Sequence, residues 1–243
     1  MNELIAPAKL TLSLSITGLR SDGLHTLEAE MVTIDFADTI TIEEGDTNVS
    51  YIGKYPITPS EEEDLIVRAL HLVGENKKIT VNKNIPPGGG LGGGSANAAA
   101  ILRWAGFAND TEAVNLGSDI PFNIRGGRAL VKGVGEEIET LEYQERKFTL
   151  LIPPFGCSTA KVYKTWDKMG SPKGPNGNDL EYAAIEVEPR LLEWRTKLEK
   201  HTGEIPRLAG SGSTWFVEGN YPGEDFIVTK TTQENQIGSP QKQ

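Results

Sequence analysis

The chain has 243 residues, a net charge of −10 and 37% hydrophobic residues, enough to bury one large core or two small ones. The acidic balance argues against a general nucleic-acid binder, which needs clustered Lys and Arg against phosphate, and leaves room for a local basic pocket for one nucleotide. One cysteine, Cys157, excludes an internal disulfide and reads as a buried small hydrophobe, since no His lies near it in sequence.

The first predicted element is a half-buried strand: Leu10, Leu12, Leu14 and Ile16 alternate with Thr11, Ser13 and Ser15. Ser21-Asp22-Gly23 is turn chemistry, and Leu27 to Ile34 reads as the returning strand. Thr39 to Glu43 and Ser50 to Ile52 follow as short strands. Ser60 to Glu63 has capping-box spacing ahead of a helix carrying Leu65, Ala69 and Leu72. Lys78 to Lys83 reads as a strand. Further strands are expected at Gly127 to Val134, Phe148 to Ile152, Arg207 to Ala209 and Thr214 to Glu218. Helices are expected at Ser158 to Met169 and Pro189 to His201. Composition shifts most within Met169 to Asn178, a Pro/Gly stretch, and a soft domain boundary is expected before it. Met1-Asn2-Glu3 lacks the basic start and apolar run of a signal peptide, and no stretch approaches the ~20 apolar residues of a membrane span. A cytoplasmic protein with no membrane or nucleic-acid partner is expected.

The most unusual segment is Ile85 to Ala100, where Pro86-Pro87 precede Gly88-Gly89-Gly90-Leu91-Gly92-Gly93-Gly94-Ser95 and an Ala-rich run. Alanine favours helix, so a glycine loop runs into a helix N-terminus. Glycine accepts positive φ, expected along the loop with Gly93 included, and lets a ligand approach the main chain. Loop N–H groups and the helix dipole then suit phosphate. A G-x-x-x-x-G-K-[ST] loop is excluded, because no lysine follows Gly94. A dinucleotide fingerprint fits formally at Gly88, Gly90 and Gly93 with Asp110 downstream, but the prolines separate strand from turn. A plain flexible linker is the bland alternative. At the helix start, Ser95 is either an N-cap or a hydroxyl for magnesium or phosphate.

Three other segments read weakly alone. Lys9 in Ala6-Pro7-Ala8-Lys9 fits a solvated strand end, Asp119 in Leu116-Gly-Ser-Asp119-Ile-Pro121 fits a cap or turn, and Ala209-Gly210-Ser211-Gly212-Ser213 fits a small-residue turn. His71 and His201 read as surface residues. Trp104, Trp166 and Trp194 read as packing, and Trp215 as core more than pocket. No Cys/His spacing suggests zinc.

Together, in this order, the segments resemble the GHMP kinases, named for galactokinase, homoserine kinase, mevalonate kinase and phosphomevalonate kinase. Within them the likeness is to the branch acting on a cytidyl-bearing alcohol. It rests on Ala6 to His25, Ile85 to Ser95, Leu116 to Pro121, Asn178-Asp179-Leu180-Glu181 and Gly210 to Ser213, and spans residues 4 to 218.

The resemblance implies an α/β (α+β) two-lobe fold with a cleft between lobes. The N-terminal lobe, 1–153, would carry a mixed sheet and the ATP loop. The C-terminal lobe, 154–232, would be sheet plus helices, and 233–243 a disordered tail. It implies ATP and Mg2+ and transfer of the γ-phosphoryl group to a 2-hydroxyl of a small cytidyl substrate, by a monomer or weak dimer. By position, Lys9 and Asp119 match the catalytic pair and Pro86 to Ala96 the ATP loop. Thr11, Leu24, His25, Tyr163, Gly210 and Ser211 match substrate positions, His25 reading the cytosine, and Ser95 a magnesium position.

Several positions depart from the family pattern. Thr11 stands where the family carries an amide, Leu24 where it carries tyrosine, and Ala96 where it carries a second serine; the connection from the loop helix to Asp119 is short. Two other functions therefore compete: another GHMP small-molecule kinase, of homoserine or mevalonate type, and a GHMP-fold binding protein without catalysis.

Overall fold

The computed structural model describes residues 2–107 and 109–233, so the expected tail, apart from Gln233, lies outside the described residues. The chain opens with two long antiparallel strands, β1 (Asn2–Leu19) and β2 (His25–Glu44). Their turn forms because Asp22 Oδ1 accepts the Leu24 N–H at 3.1 Å and Gly23 takes φ +86°. The two strands expected at 27–34 and 39–43 are one. The polar Asp38 between them does not end the strand, because its carboxylate is buried and accepts the N–H groups of Asn84 and Ile85 at 2.7 and 2.8 Å.

Next come β3 (Asn48–Gly53), α1 (Leu65–Val73) and β4 (Lys77–Lys83). The capping box expected at Ser60 does not cap α1. Ser60 bonds Glu63 within a turn, while Asp64 caps the helix by accepting from Ile66 N at 2.8 Å and from Val67 N. The glycine loop leads into α2 (Gly93–Trp104), then α3 (Asp110–Ala113) and α4 (Ile120–Arg125). The short connection to Asp119 is thus one small helix and a turn. β5 (Arg128–Gly133) and β6 (Glu137–Thr140) complete a six-stranded mixed sheet, ordered β3-β4-β2-β5-β6 with β1 paired to β2. The sequence pattern does not mark β6, whose four residues hold one apolar side chain.

The second sheet is antiparallel, ordered β10-β7-β9-β8, from β7 (Lys147–Leu151), β8 (Arg207–Leu208), β9 (Trp215–Glu218) and β10 (Phe226–Lys230). Its helices are α5 (Thr159–Lys168), α6 (Glu181–Val187) and α7 (Leu191–Thr202). β7 precedes residue 153 yet pairs with β9 and β10, so the second sheet begins before the expected boundary. Nor is Met169 to Asn178 a junction between lobes. That loop joins α5 to α6, and Asp179 ties its end to β1 by donating N–H to Leu14 O at 2.9 Å.

Three apolar clusters hold these layers. Ile66, Leu70, Ile101 and Leu102 pack on Ile40, Ile79 and Val81, joining α1 and α2 to the first sheet. Leu14, Ala29 and Val131 meet Val162, Trp166 and Leu198, joining that sheet to the second lobe's helices. Ala8, Leu10 and Val32 meet Phe148, Leu150 and Phe216, joining sheet to sheet. Each such buried Leu, Ile or Phe contributes about 1.5–3 kcal/mol of transfer free energy. Residues 6 to 12 of β1 are therefore buried on both faces, and the half-buried alternation holds only from Leu12 onward. Among the described residues no helix is long and apolar enough to cross a membrane.

Candidate active site

Between the lobes lies a cavity of about 910 Å³, and every predicted site residue except Thr11, Leu91 and Ala96 lines it. Leu91 is fully buried with Leu10 and Ile85, and Ala96 packs under α2, so both side chains face the core. Thr11 sits behind the wall, its hydroxyl accepting from Lys9 Nζ at 3.0 Å.

Lys9 is not a solvated strand end. It is buried at the centre of β1, and its ammonium lies 3.3 Å from Asp119 Oδ2. Asp119 precedes α4 but does not cap it through its side chain. The carboxylate is instead free to face the cavity, with its side chain 29% exposed.

The glycine loop owes its course to the second lobe. Gly88 O accepts the N–H groups of Cys157 and Ser213 at 2.9 and 3.0 Å, and Gly89 O accepts that of Thr214 at 3.1 Å. Leu91 O accepts that of Lys9 at 3.1 Å. In a trans peptide the carbonyl and the next N–H point oppositely, so these bonds turn the N–H groups of Gly89, Gly90 and Gly92 away from the protein wall. Positive φ occurs at Gly88, Gly90 and Gly92 and not at Gly93, where φ is not left-handed. Gly90 has a second constraint: a Cβ there would stand 2.0 Å from Ala209 O. Gly92, at φ +68°, is the N-cap of α2. The N-cap reading of Ser95 is thus wrong, and its hydroxyl stands three residues inside the helix on the cavity wall.

Gly210 and Ser211 close the opposite wall. Asn178 fixes their turn, its Nδ2 donating to Leu208 O and Gly210 O at 2.9 and 2.8 Å, and Ser211 Oγ bonds Thr159 Oγ1 at 2.9 Å. Asp179 Oδ2 accepts from Ile16 N and Lys173 Nζ at 2.9 and 2.8 Å. Burial alone would raise its pKa, but these bonds outweigh it and hold the carboxyl below its ordinary value.

His25, Leu24 and Tyr163 line the far end. Burial, with Asp119's charge, raises the Tyr163 phenol well above its ordinary pKa, so it stays protonated.

Other groups at the site carry no local sequence signal. Lys83 Nζ lines the cavity near Gly93 and is held by an ion pair to Asp38 and by Asn97 Oδ1 at 3.0 Å. Asp38 lies 45 residues from Lys83 and 59 from Asn97, so only the fold brings the three together. Asp167 beside His25 follows Tyr163 and Trp166 at helical spacing, which is the one clue the sequence holds. Cys157 is buried with its thiol pushed up to about 11 by that burial, the state of an inert packing residue. His201 stacks on Phe226 at 3.9 Å, and Trp215 is fully buried in the core, away from the cavity.

A glycine loop before a helix, a Lys–carboxylate pair and a two-sheet cleft define a GHMP kinase. The family model for the GHMP kinases N terminal domain matches residues 64–127. The 4-diphosphocytidyl-2-C-methyl-D-erythritol kinase of Paracoccus denitrificans is 35% identical over 87% of this chain and 84% of its own length. That of Thermotoga petrophila is 36% identical over 90% and 94%. A crystal structure of 4-(cytidine 5'-diphospho)-2C-methyl-D-erythritol kinase superposes with a TM-score of 0.75 at 26% identity, covering 95% of this chain and all of that one. This chain belongs to the 4-diphosphocytidyl-2-C-methyl-D-erythritol kinase family. It is an ATP-dependent kinase of GHMP fold.

Proposed function

We propose that this kinase transfers the γ-phosphoryl group of ATP to the 2-hydroxyl of 4-diphosphocytidyl-2-C-methyl-D-erythritol, in non-mevalonate isoprenoid precursor synthesis. The observation that carries the reading is the Lys9–Asp119 pair, 3.3 Å apart on the wall of the same cavity as the glycine loop. Asp119 takes the proton of the attacking hydroxyl as general base. Lys9, 3.3 Å from that carboxylate, offsets charge building on the transferred group. The N–H groups of Gly89, Gly90 and Gly92, with the N-terminal dipole of α2, hold the β- and γ-phosphates. Because phosphoryl transfer needs positioning and charge stabilisation, these groups suffice without a covalent intermediate.

Magnesium fits this site as a nucleotide-borne ion. No cluster of three or more acidic, His or Cys groups among the described residues could hold a metal by itself. Mg2+ in phosphoryl-transfer sites takes only one or two protein ligands beside phosphate and water. The Ser95 hydroxyl on the cavity wall is the protein ligand assigned here, and the ion would supply neutralisation of the β- and γ-oxygens.

Leu24, His25 and Tyr163 would take the cytosine, and Gly210 and Ser211 the remainder of the substrate. The enzyme would act as a monomer or weak dimer, with the second lobe's sheet beginning at β7. ATP dependence fits a cytoplasmic setting. The test is ATP consumption with the cytidyl substrate against homoserine and mevalonate. Turnover with the cytidyl alcohol alone is expected; turnover with either of the others, or with none, rejects the assignment.

A further inference from the structure

Helix α5 encloses the His25 ring on three sides. Tyr163, Trp166 and Asp167 share one face of the helix at spacings of three and four. The Tyr163 ring lies against the imidazole with centroids 5.0 Å apart and a 32° tilt, and Trp166 meets it edge-on at 5.7 Å and 85°. Asp167 Oδ1 stands 2.8 Å from His25 Nε2. The His25 side chain is only 11% exposed, and what remains open faces the cavity it lines. The two rings oppose the flip that would exchange the ring nitrogens.

An ionised carboxylate can only accept, so Nε2 carries the proton in this pairing. In the neutral imidazole the other nitrogen, Nδ1, is then an acceptor. A carboxylate behind a histidine sets the tautomer of metal-ligating imidazoles in the same way.

We propose that Asp167 is a positioning residue for base recognition. It fixes the proton of His25 on Nε2 and so makes Nδ1 an acceptor that takes the exocyclic amine of cytosine and rejects the carbonyl oxygen of uracil. The proposal rests on the cytidyl reading above. Against a bare Nδ1, the cytosine amine forms a hydrogen bond, whereas the uracil oxygen sets lone pair against lone pair and leaves both groups unsatisfied. Sites built to pair a substrate N–H reject analogues lacking it for this reason. Leu24 and Tyr163 offer apolar and aromatic surface to any pyrimidine, so neither can make this distinction.

Two measurements on the full chain test the proposal. Long-range proton–nitrogen NMR at pH 8 without substrate reads the tautomer directly. With three histidines in the chain, His71→Gln and His201→Gln assign the His25 signals. Protonated Nε2 with bare Nδ1 is expected in the parent protein, and a mixture of tautomers in Asp167→Ala. A dominant Nδ1–H form, or an imidazolium at that pH, overturns the proposal. The second measurement is kcat/KM for the cytidine diphosphate alcohol against its uridine counterpart. Asp167→Ala should lower the cytidine-over-uridine ratio about tenfold or more. The change should fall in KM for the alcohol, with kcat and the KM for ATP retained, and Asp167→Glu should restore part of the ratio. An unchanged ratio in Asp167→Ala overturns the recognition role. Equal use of both nucleotides by the parent enzyme with an Nε2–H tautomer overturns the recognition role of Nδ1, whereas turnover of neither alcohol overturns the cytidyl reading itself, and the NMR result separates that failure from failure of the tautomer assignment.

Discussion

Lys9 and Asp119 meet across the bare α-carbon of Gly92. A Cβ on Gly92 would lie 2.9 Å from Lys9 Cγ and 3.4 Å from Asp119 Oδ2. The residue that starts the phosphate helix is thus also the spacer that lets base and ammonium approach to 3.3 Å. On the proposed reading, nucleotide binding and catalysis would share this one backbone position.

Asp119→Asn should lower kcat about a hundredfold or more while calorimetry finds ATP affinity within about twofold of the parent. The carboxylate acts on the hydroxyl proton and not on the nucleotide. Near-normal turnover in this variant would remove Asp119 as the base.

Gly92→Ala should cut kcat by about tenfold or more, because its Cβ must displace the Lys9 stem or the backbone of the loop. The left-handed φ adds about 1–2 kcal/mol of strain. Gly74→Ala separates the two effects. It imposes the same left-handed φ at the end of α1, where a Cβ would meet open space. Comparable melting losses in both variants with a kcat loss only in Gly92→Ala are expected; equal kcat in both would show that Lys9 tolerates the intrusion.

Legibility in the sequence follows the range of the interactions. That a glycine loop runs into a helix is read correctly because the signal is local: the glycines, the Ala-rich helix and their order are contiguous. Its details are less legible, since which glycines take positive φ depends on the second lobe pinning Gly88 O and Gly89 O. Lys9 and Asp119 look ordinary alone and gain meaning only by resemblance to a family. The Asp38–Lys83–Asn97 network is invisible to periodicity, and periodicity places Asp167 on the Tyr163 face of α5 without naming His25 as its partner, because these groups come together only when the sheet and α5 fold. The capping of α1 is misread for a related reason. Ser60 and Asp64 both have capping chemistry, and the choice falls to Asp64, which also accepts a hydrogen bond from Tyr51 on β3 at 2.8 Å.

Asp38→Ala should destabilise the protein by about 3–5 kcal/mol, because it leaves the ammonium of Lys83 buried and unpaired. The side chains are 0% and 3% exposed, so the pair is little screened by solvent. It also frees the N–H groups of Asn84 and Ile85 just before the loop. Urea unfolding measures the loss. Asp38→Ala combined with Lys83→Met should recover part of it, and a double variant no more stable than the single one would show that the charge is not what costs.

Glu181 gives a pH test of stability. Burial raises its carboxyl to about 7, with the charge of Arg195 opposing the shift. Between the ordinary carboxylate range and that value the folded protein holds a proton that the unfolded chain has lost. Stability from this group therefore falls as pH rises through that interval, and the full penalty is present above it. Glu181→Gln should accordingly raise Tm at pH 8 and leave it nearly unchanged at pH 4. An equal effect at both pH values would mean that the side chain contributes through packing alone.

The final prediction concerns Leu24, which stands where the family resemblance leads one to expect tyrosine. It lines the cavity next to His25, and its side of the mouth is open, with the residue 52% exposed. Tyr163 supplies aromatic surface from α5. Leucine can cover a pyrimidine with apolar area but lacks a flat π face, and base–aromatic stacking is worth roughly 1–3 kcal/mol by truncation. Contact area returns part of that, so the deficit sits at the low end of the range. Leu24→Tyr should then lower the KM for the cytidyl alcohol several-fold and leave the KM for ATP unchanged. Tyr163→Ala should raise the same KM by more than Leu24→Ala does, because Tyr163 supports His25 as well as the cavity wall. Steady-state kinetics with each substrate varied in turn decides the matter. If Leu24→Tyr changes nothing and Tyr163→Ala is silent, the base does not bind between these residues, and recognition by His25 loses its physical setting.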